Sequence, residues 1–148
     1  MKIPLVVLRL VNPFVGLLLR SPLHGLMSAD VMLITVTGRR SGRRYTMPVS
    51  YLRDGDRVRC LTGREMTWWR NLRGGADVTL QLAGEERRGR AEAVVDDADR
   101  IERALADFLT RLPRDAVYYE VGLDGAQRPL EADVQRAADH VVPIEIRL

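Results

Sequence analysis

The sequence predicts an α+β protein built around a small closed or split antiparallel β-barrel. Six short segments have the composition or alternation of β-strands, and turn signals join most of them. No helical segment separates the first three strands, which argues against a parallel sheet. The chain has 148 residues, 46% of them hydrophobic and 29% charged, and this composition suits one soluble domain with one core.

Recognisable turns link the six predicted strands. Asp54-Gly55 is a hairpin signal between the second strand and the third, and Gly84-Glu85 plays the same part between the fourth and the fifth. Pro48 indicates a bulge or an edge position in the second strand, because proline cannot donate to a ladder. The predicted strands span residues 31–37, 45–53, 57–62, 78–82, 88–95 and 141–148.

Three helices are predicted among these strands. A short one begins at Thr67, which can cap it, and ends at Gly74 or Gly75. A second lies within residues 96–112, where apolar residues recur on one face and acids crowd the first turn. A third lies within residues 129–140, so helices flank the barrel.

The N-terminal residues form a separate region in this prediction. Residues 1–28 are interpreted as an amphipathic helical segment and residues 29–148 as the barrel domain. Residues 3–20 are mostly apolar, but Arg9 and Pro13 interrupt them, and no run approaches the ~20 residues of a membrane span. We expect this segment to pack on the barrel or on a second subunit; the alternative is a peripheral contact with a membrane surface.

Positive charge is concentrated in one part of the chain. Residues 37–73 carry ten arginines against three acids, a net of +7, whereas residues 74–148 carry ten arginines against sixteen acids, a net of −6. Such a segment attracts anions. The single cysteine, Cys60, is predicted to be a core residue, and a reducing cytoplasm is the simplest compartment. His24 and His140 lack metal-ligand spacing, so no metal site is predicted.

Four arginines fall within six residues at a glycine-punctuated turn. Glycine exposes backbone N–H groups, serine adds a hydroxyl donor, and arginine binds phosphate or carboxylate through two parallel hydrogen bonds. A solvated basic hairpin tip or an RNA-binding module would also fit. Aromatic content is only 5% and no nucleic-acid-binding motif is present, so we expect no nucleic-acid partner. The candidate anion-binding residues are Gly38, Arg39, Arg40, Ser41, Gly42, Arg43 and Arg44.

Two adjacent tryptophans open the short predicted helix. Neighbours on a helix point about 100° apart, so Trp68 and Trp69 cannot face the same way. One is expected to pack in the core, whereas the other could stack on a planar ring; burial of both in the core is an equal alternative. Asn71 is a poor helix former, which suggests that its amide makes a specific hydrogen bond. Tyr118 and Tyr119, between two helices, could line a pocket or simply pack.

The stretch TVTGRRSGRRYTMPVSYLRDGDRV, followed by TWWRNLRGGADVTLQL, resembles the deazaflavin-dependent nitroreductase family over roughly residues 31–95. The resemblance implies a six-stranded split β-barrel of the FMN-binding type, often dimeric. It also implies reduced 8-hydroxy-5-deazaflavin, coenzyme F-420, as the cofactor. The phosphate and glutamate tail of this cofactor would account for the arginines. The positions implied as cofactor-binding are the loop residues 38–44 together with Pro48, Trp68, Trp69 and Asn71.

Two departures from the family pattern lie just before the tryptophans. Met66-Thr67 stands where relatives usually have proline, and the preceding loop TGREM is shorter than their glycine-rich version. Contacts made there in relatives could be lost in this chain, or Arg64 could replace them.

The predicted function is hydride transfer from reduced F-420 to a planar acceptor such as a quinone or a nitro compound. Tyr118, Tyr119 or Ser50 could supply a proton or a hydrogen bond. The alternatives are an FMN-dependent oxidoreductase, a cofactor-binding protein without turnover, and the RNA-binding module. The predicted location is the cytoplasm, with membrane contact through residues 3–20 and a homodimer as further expectations.

Overall fold

The computed structural model describes residues 30–148, so the predicted N-terminal segment, residues 1–28, lies outside the described residues. Six strands, two α-helices and two short 3-10 helices make up this part of the chain. The strands are β1 (Val31–Thr37), β2 (Arg44–Asp54), β3 (Arg57–Gly63), β4 (Ala76–Leu82), β5 (Glu85–Ala93) and β6 (Val141–Arg147). The α-helices are α1 (Ala98–Arg111) and α2 (Glu131–Ala138), and the 3-10 helices are Trp68–Leu72 and Pro113–Tyr119.

The six strands form a closed antiparallel barrel in the order β1-β2-β3-β6-β5-β4, with β4 pairing back to β1. This confirms the predicted α+β class and the antiparallel barrel. One end of the barrel gathers the last residues of β1, β3 and β5 and the first residues of β2, β4 and β6. The 3-10 helix Trp68–Leu72 connects β3 to β4 at this end, where the arginine-rich turn also lies.

Most element bounds agree with the sequence pattern, but β5 does not. It begins at Glu85 rather than at Arg88, because Leu82 pairs with Glu85 across a two-residue turn at Ala83 and Gly84. Both turn residues have positive φ, 50° and 79°. The predicted turn at Gly84-Glu85 was therefore wrong by one residue, and the charged residues before Arg88 belong to the strand.

The barrel interior is filled by alternating side chains from all six strands. In β1, for example, Met32, Ile34 and Val36 are fully buried. Cys60 from β3 is also in this interior, which confirms its prediction as a core residue, and burial raises the pKa of its thiol to about 12. The thiol therefore stays protonated at neutral pH.

A second core lies outside the barrel wall. Leu52 of β2 and Leu61 of β3 point outward and pack against the apolar face of α1, which includes Leu105 and Phe108. Asp97 caps α1 by accepting a hydrogen bond from the N–H of Arg100 at 3.1 Å. The helices therefore cover the β2-β3-β6 side of the barrel.

The barrel is split beside the first half of β2. Residues 44–50 of β2 pair with β1, whereas only residues 51–54 pair with β3. Pro48 lies opposite Leu33 of β1 within this half. Among the described strands it therefore has a neighbour on one side only, which confirms the predicted edge position.

Candidate functional site

The turn between β1 and β2 is a compact, internally bonded hairpin tip. The N–H of Gly38 donates to the carbonyl of Arg43 at 2.7 Å, and the N–H of Gly42 donates to the carbonyl of Gly38 at 2.9 Å. Gly42 has a φ of +72°, and a Cβ atom on Gly38 would lie 2.7 Å from Ser41 Oγ. Gly42 is therefore favoured by the backbone path, whereas a side chain at position 38 would force the Ser41 hydroxyl to move.

Ser41 has part of its hydrogen-bonding capacity left over. Its Oγ accepts a hydrogen bond from the N–H of Arg43 at 3.1 Å. A hydroxyl that accepts through a lone pair still has its proton to donate. Ser41 is exposed, so that proton is available to a ligand at the hairpin tip.

Three of the four arginines at the tip are uncommitted. The side chains of Arg40, Arg43 and Arg44 are exposed, and none forms a salt bridge with any residue in the range 30–148. Unpaired guanidinium groups this close in sequence repel one another and favour an anionic ligand.

Arg39 has a different role from its three neighbours. Its Nη1 donates to the carbonyl of Arg70 at 2.9 Å, and its backbone N–H donates to Oδ1 of Asn71 at 2.9 Å. Arg39 therefore ties the hairpin tip to the 3-10 helix Trp68–Leu72. The sequence pattern alone groups Arg39 with the anion-binding arginines, and only the contact across 31 residues reveals this structural use.

The side chain of Asn71, on the 3-10 helix, also links that helix to the hairpin tip. While its Oδ1 accepts from Arg39, its Nδ2 donates to the carbonyl of Trp68 at 3.0 Å. The prediction that this amide makes a specific hydrogen bond is confirmed. Only a side chain with one donor and one acceptor can make both contacts, which explains an asparagine in a short helix.

Both tryptophans are buried in the barrel core, with exposures of 8% for Trp68 and 5% for Trp69. The indole N–H of Trp68 donates to Thr62 Oγ1 at 3.0 Å, and that of Trp69 donates to the carbonyl of Arg64 at 3.2 Å. The structure thus favours the alternative in which both are core residues. Their indoles close one end of the barrel and support the 3-10 helix.

The prediction that Thr67 caps this helix was wrong, because its side chain makes no cap hydrogen bond. Its φ of −107° and ψ of −18° lie in the helical region, whereas a capping residue has extended backbone. The C-terminal end of the helix agrees better with the predicted stop at Gly74 or Gly75, since both glycines have positive φ, 78° and 94°.

Arg64, in the short loop before the tryptophans, carries a buried group without a partner. Its backbone is fixed, because its N–H donates to the carbonyl of His140 at 2.8 Å and its carbonyl accepts from Trp69. Its side-chain Nε, however, is buried and has no hydrogen-bond partner in the described structure. A buried N–H left unsatisfied is costly, and an anionic ligand would satisfy it.

The three candidate proton donors belong to two different elements, β2 and the 3-10 helix Pro113–Tyr119. Ser50 is six residues along β2 from Arg44, roughly 20 Å at the usual rise of a strand. Tyr118 and Tyr119 both lie on the 3-10 helix Pro113–Tyr119. Tyr118 is 41% exposed, whereas Tyr119 is half-buried against the outer core. Burial, with a smaller effect from Asp115, raises the pKa of the Tyr119 phenol well above its usual range.

A shallow depression of about 450 Å³ lies on the outer layer. None of the arginine-tip residues contributes to it. It is lined by Pro113, Arg114, Ala116, Val117, Glu120, Val121, Gly122 and Leu123.

No helix within residues 30–148 is long and apolar enough to cross a membrane. The same residues hold no group of three or more His, Cys, Asp or Glu side chains that could bind a metal ion.

A closed six-stranded antiparallel barrel with a basic, glycine-built hairpin tip defines the chain as a split-barrel cofactor-binding protein. Residues 20–135 match the family described as F420H(2)-dependent quinone reductase, and this match spans most of the chain. The chain belongs to this family. It is therefore an F-420-dependent oxidoreductase acting on a small molecule, and the resemblance inferred from the hairpin and tryptophan motifs is confirmed.

Solved structures with the same fold are distant in sequence. A protein of the pyridoxinephosphate oxidase family from Clostridium acetobutylicum is 13% identical, with a TM-score of 0.55 over 82% of this chain and 77% of that one. An F420-H2-dependent reductase is 17% identical, with a TM-score of 0.50 over 81% and 95%. A domain-swapped dimer is 16% identical, with a TM-score of 0.51 over 82% of each chain. No curated protein matches the sequence.

The residues at this end of the barrel fit F-420 chemically. The cofactor offers phosphate and carboxylate oxygens, which are acceptors only. The uncommitted groups of the site are donors: three guanidinium groups, the Ser41 hydroxyl and the orphaned Nε of Arg64. The hydrogen-bond donors of the site therefore complement the acceptors of the cofactor.

Proposed function

We propose that the protein transfers a hydride from reduced F-420 to a planar acceptor. We further propose that it prefers a quinone to a nitro compound as this acceptor. The observation that carries this proposal is the set of uncommitted guanidinium groups of Arg40, Arg43 and Arg44. They stand on a hairpin tip that Arg39 and Asn71 hold against the tryptophan helix. The family description supports the quinone as acceptor.

The residues of the tip would bind the anionic parts of the cofactor. Arg40, Arg43 and Arg44 would bind phosphate and carboxylate oxygens, and Ser41 would donate its remaining proton to a phosphate oxygen. Hydrogen bonds within the tip and the contact with Asn71 hold its backbone in place, so little ordering entropy would be lost on binding. Trp68 and Trp69 would contribute from the barrel core, by keeping the 3-10 helix Trp68–Leu72 in place rather than by stacking on the deazaflavin ring.

F-420 supplies a hydride when bound, and the protein supplies position and electrostatics. Reduction of a quinone to a hydroquinone also consumes one proton. Tyr119 suits a hydrogen-bond donor better than a base, because its raised pKa keeps the phenol protonated at neutral pH. Tyr118 and Ser50 are candidates for the same role; Ser50 lies six residues along β2 from Arg44.

A binding titration tests the cofactor assignment. Purified protein is titrated with F-420 and with FMN, which carries one phosphate and no glutamate tail. We expect tighter binding of F-420, because the additional carboxylates meet additional guanidinium groups. Equal affinity for the two would instead favour the FMN-dependent alternative, and binding of neither would favour the RNA-binding module.

Turnover then separates an enzyme from a carrier and one acceptor from another. Oxidation of reduced F-420 is followed anaerobically with a naphthoquinone and with a nitroimidazole at equal concentration. We expect a larger kcat/KM for the quinone. Tight cofactor binding with no oxidation by either acceptor would identify a cofactor-binding protein without turnover.

A further inference from the structure

The depression lined by residues 113–123 is an apolar surface with a charged rim. Five of its eight lining residues are apolar, and Val117 among them is 57% exposed. Arg114 and Glu120 are the charged members of the lining. Exposed apolar surface gathered in a concave site marks a place where something docks.

The described chain begins beside this depression. Asp30 forms a salt bridge from Oδ2 to Nη2 of Arg114 at 2.7 Å, and its carbonyl accepts from the N–H of Tyr51 at 2.9 Å. Asp30 is therefore fixed both to β2 and to the rim of the depression. Whatever precedes it in sequence must start from that rim.

We infer that the N-terminal segment, residues 3–19, docks in this depression and covers its apolar lining. The segment IPLVVLRLVNPFVGLLL is dominated by valine and leucine, the side chains that gain most from such burial. Ten residues separate position 20 from Asp30, and ten residues span at most about 35 Å, so the segment reaches the depression with chain to spare.

A segment of the same chain is favoured over the other occupants. Tethering at Asp30 gives the segment an effective concentration in the millimolar range, which a second copy does not reach in dilute solution. The charges before Ser21 are Lys2, Arg9 and Arg20, all positive, and they complement Glu120 on the rim. The same acid would be repelled by an anionic membrane, so a lipid surface fits the depression less well.

Docking there would couple the N-terminus to the 3-10 helix Pro113–Tyr119. This helix supplies four of the lining residues and also carries Tyr118 and Tyr119. Residues 3–19 would thus hold the helix of the two candidate tyrosines in place, although they are remote from it in sequence.

Photo-cross-linking in the full chain tests the inference directly. A benzophenone amino acid replaces Val117 in one variant and Tyr118 in a matched control, since Tyr118 is also exposed but does not line the depression. Neighbours on a 3-10 helix point about 120° apart, so the two probes sample different surroundings. After irradiation at low protein concentration, digestion and mass spectrometry map the product.

We expect an intramolecular cross-link from position 117 to residues 1–29, several-fold more abundant than from position 118. A product of twice the chain mass would overturn the inference in favour of a second copy. Absence of any cross-link to residues 1–29 would also overturn it; sedimentation of the full chain with anionic phosphatidylserine vesicles would then identify the membrane as the occupant.

A stability comparison provides the second readout. Val117→Glu places a charge under the docked segment, so the Tm of the full chain should fall by about 3–6 °C, whereas Tyr118→Glu should change it by less than about 1 °C. Equal Tm changes for the two variants in the full chain would contradict the inference.

Discussion

The backbone N–H of Arg39 donates to Oδ1 of Asn71 at 2.9 Å, across 32 residues of sequence. Together with the hydrogen bond from Arg39 Nη1 to the carbonyl of Arg70, this contact holds the arginine hairpin tip against the tryptophan helix. Asn71→Ala removes it together with the bond to the carbonyl of Trp68, so two hydrogen bonds are lost. We expect a loss of about 1–3 kcal/mol in unfolding free energy without cofactor.

The same variant should also bind F-420 more weakly. A loosened tip has to be ordered again when the ligand binds. Chemical denaturation and a fluorescence titration measure the two effects. Asn71→Asp keeps an acceptor for Arg39, so without cofactor it should be destabilised less than Asn71→Ala; the reverse order would show that the Arg39 contact is not what matters.

Arg40 is expected to act on binding alone. Its side chain is exposed and forms no salt bridge within residues 30–148, so Arg40→Ala should leave the Tm without cofactor unchanged. Loss of a charge-assisted hydrogen bond to an anion should weaken F-420 binding by about 1.5–3 kcal/mol. Arg103→Ala, at an exposed arginine of α1 far from the tip, is the control and should bind normally. Equal affinity of Arg40→Ala and the unmodified protein would remove Arg40 from the site.

Salt dependence tests the cluster as a whole. If Arg40, Arg43 and Arg44 meet the glutamate tail, the affinity for F-420 should fall as salt rises, because exposed charges are screened. Affinity should also rise with the number of glutamates on the cofactor. Replacing two of these arginines with glutamine should flatten the salt dependence, and isothermal titration at several salt concentrations measures the slope. A flat slope in the unmodified protein would show that contacts with the deazaflavin ring, rather than with the charged tail, supply most of the affinity.

Much of this architecture could be predicted from local patterns. The bounds of β1 and the presence of every strand follow from β-branched runs and turns such as Asp54-Gly55, and the specific use of Asn71 follows from its poor helix propensity. Closure of the barrel by β1 and β4 could not be predicted, because a single sequence carries no signal for pairing between distant strands. The turn at Ala83-Gly84 was missed because alanine rarely adopts a φ of 50°.

The candidate site residues also differ in whether local sequence or long-range contacts reveal their roles. A glycine-punctuated arginine cluster can be recognised in the sequence, and it is the basis for predicting an anion site there. The separation of Arg39, which is structural, from its three free neighbours depends on where Arg70 and Asn71 lie in space. For the same reason, the sequence left open whether one tryptophan or both would be buried.

A carboxylate outside the site gives the protein an acid-sensitive contact. Asp54, at the β2-β3 turn, accepts from Nη1 and Nη2 of Arg111 on α1 at 2.8 and 3.1 Å. The hydrogen bonds from Arg111, helped by the charge of Arg59, lower the pKa of Asp54 below its ordinary value of 3.8. Stability from this contact is therefore present above pH about 4 and is lost as the pH falls through the lowered pKa of the folded state.

Asp54→Asn should accordingly lower the Tm at pH 7 and have a smaller effect at pH about 2.5, where Asp54 is increasingly protonated in the unmodified protein. Asp56→Asn, an exposed carboxylate two residues away, is the control and should shift the Tm little at either pH. Thermal unfolding followed by circular dichroism between pH 2.5 and 7 measures both. A Tm difference between Asp54→Asn and the unmodified protein that stayed constant over this range would show that the contact does not titrate.

Arg64 offers the sharpest separation of binding from stability. Its buried Nε has no partner in the described structure, so in the absence of cofactor the arginine pays for desolvation without a hydrogen bond in return. Arg64→Met keeps the length of the side chain and removes the N–H. The unfolding free energy without cofactor should therefore stay the same or rise by up to about 1 kcal/mol, while F-420 binding weakens.

Arg73→Met, at the exposed end of the tryptophan helix, is the matched control and should change neither quantity. If Arg64→Met destabilised the protein and bound F-420 normally, the arginine would be a structural residue and the short loop before the tryptophans would lie outside the cofactor site.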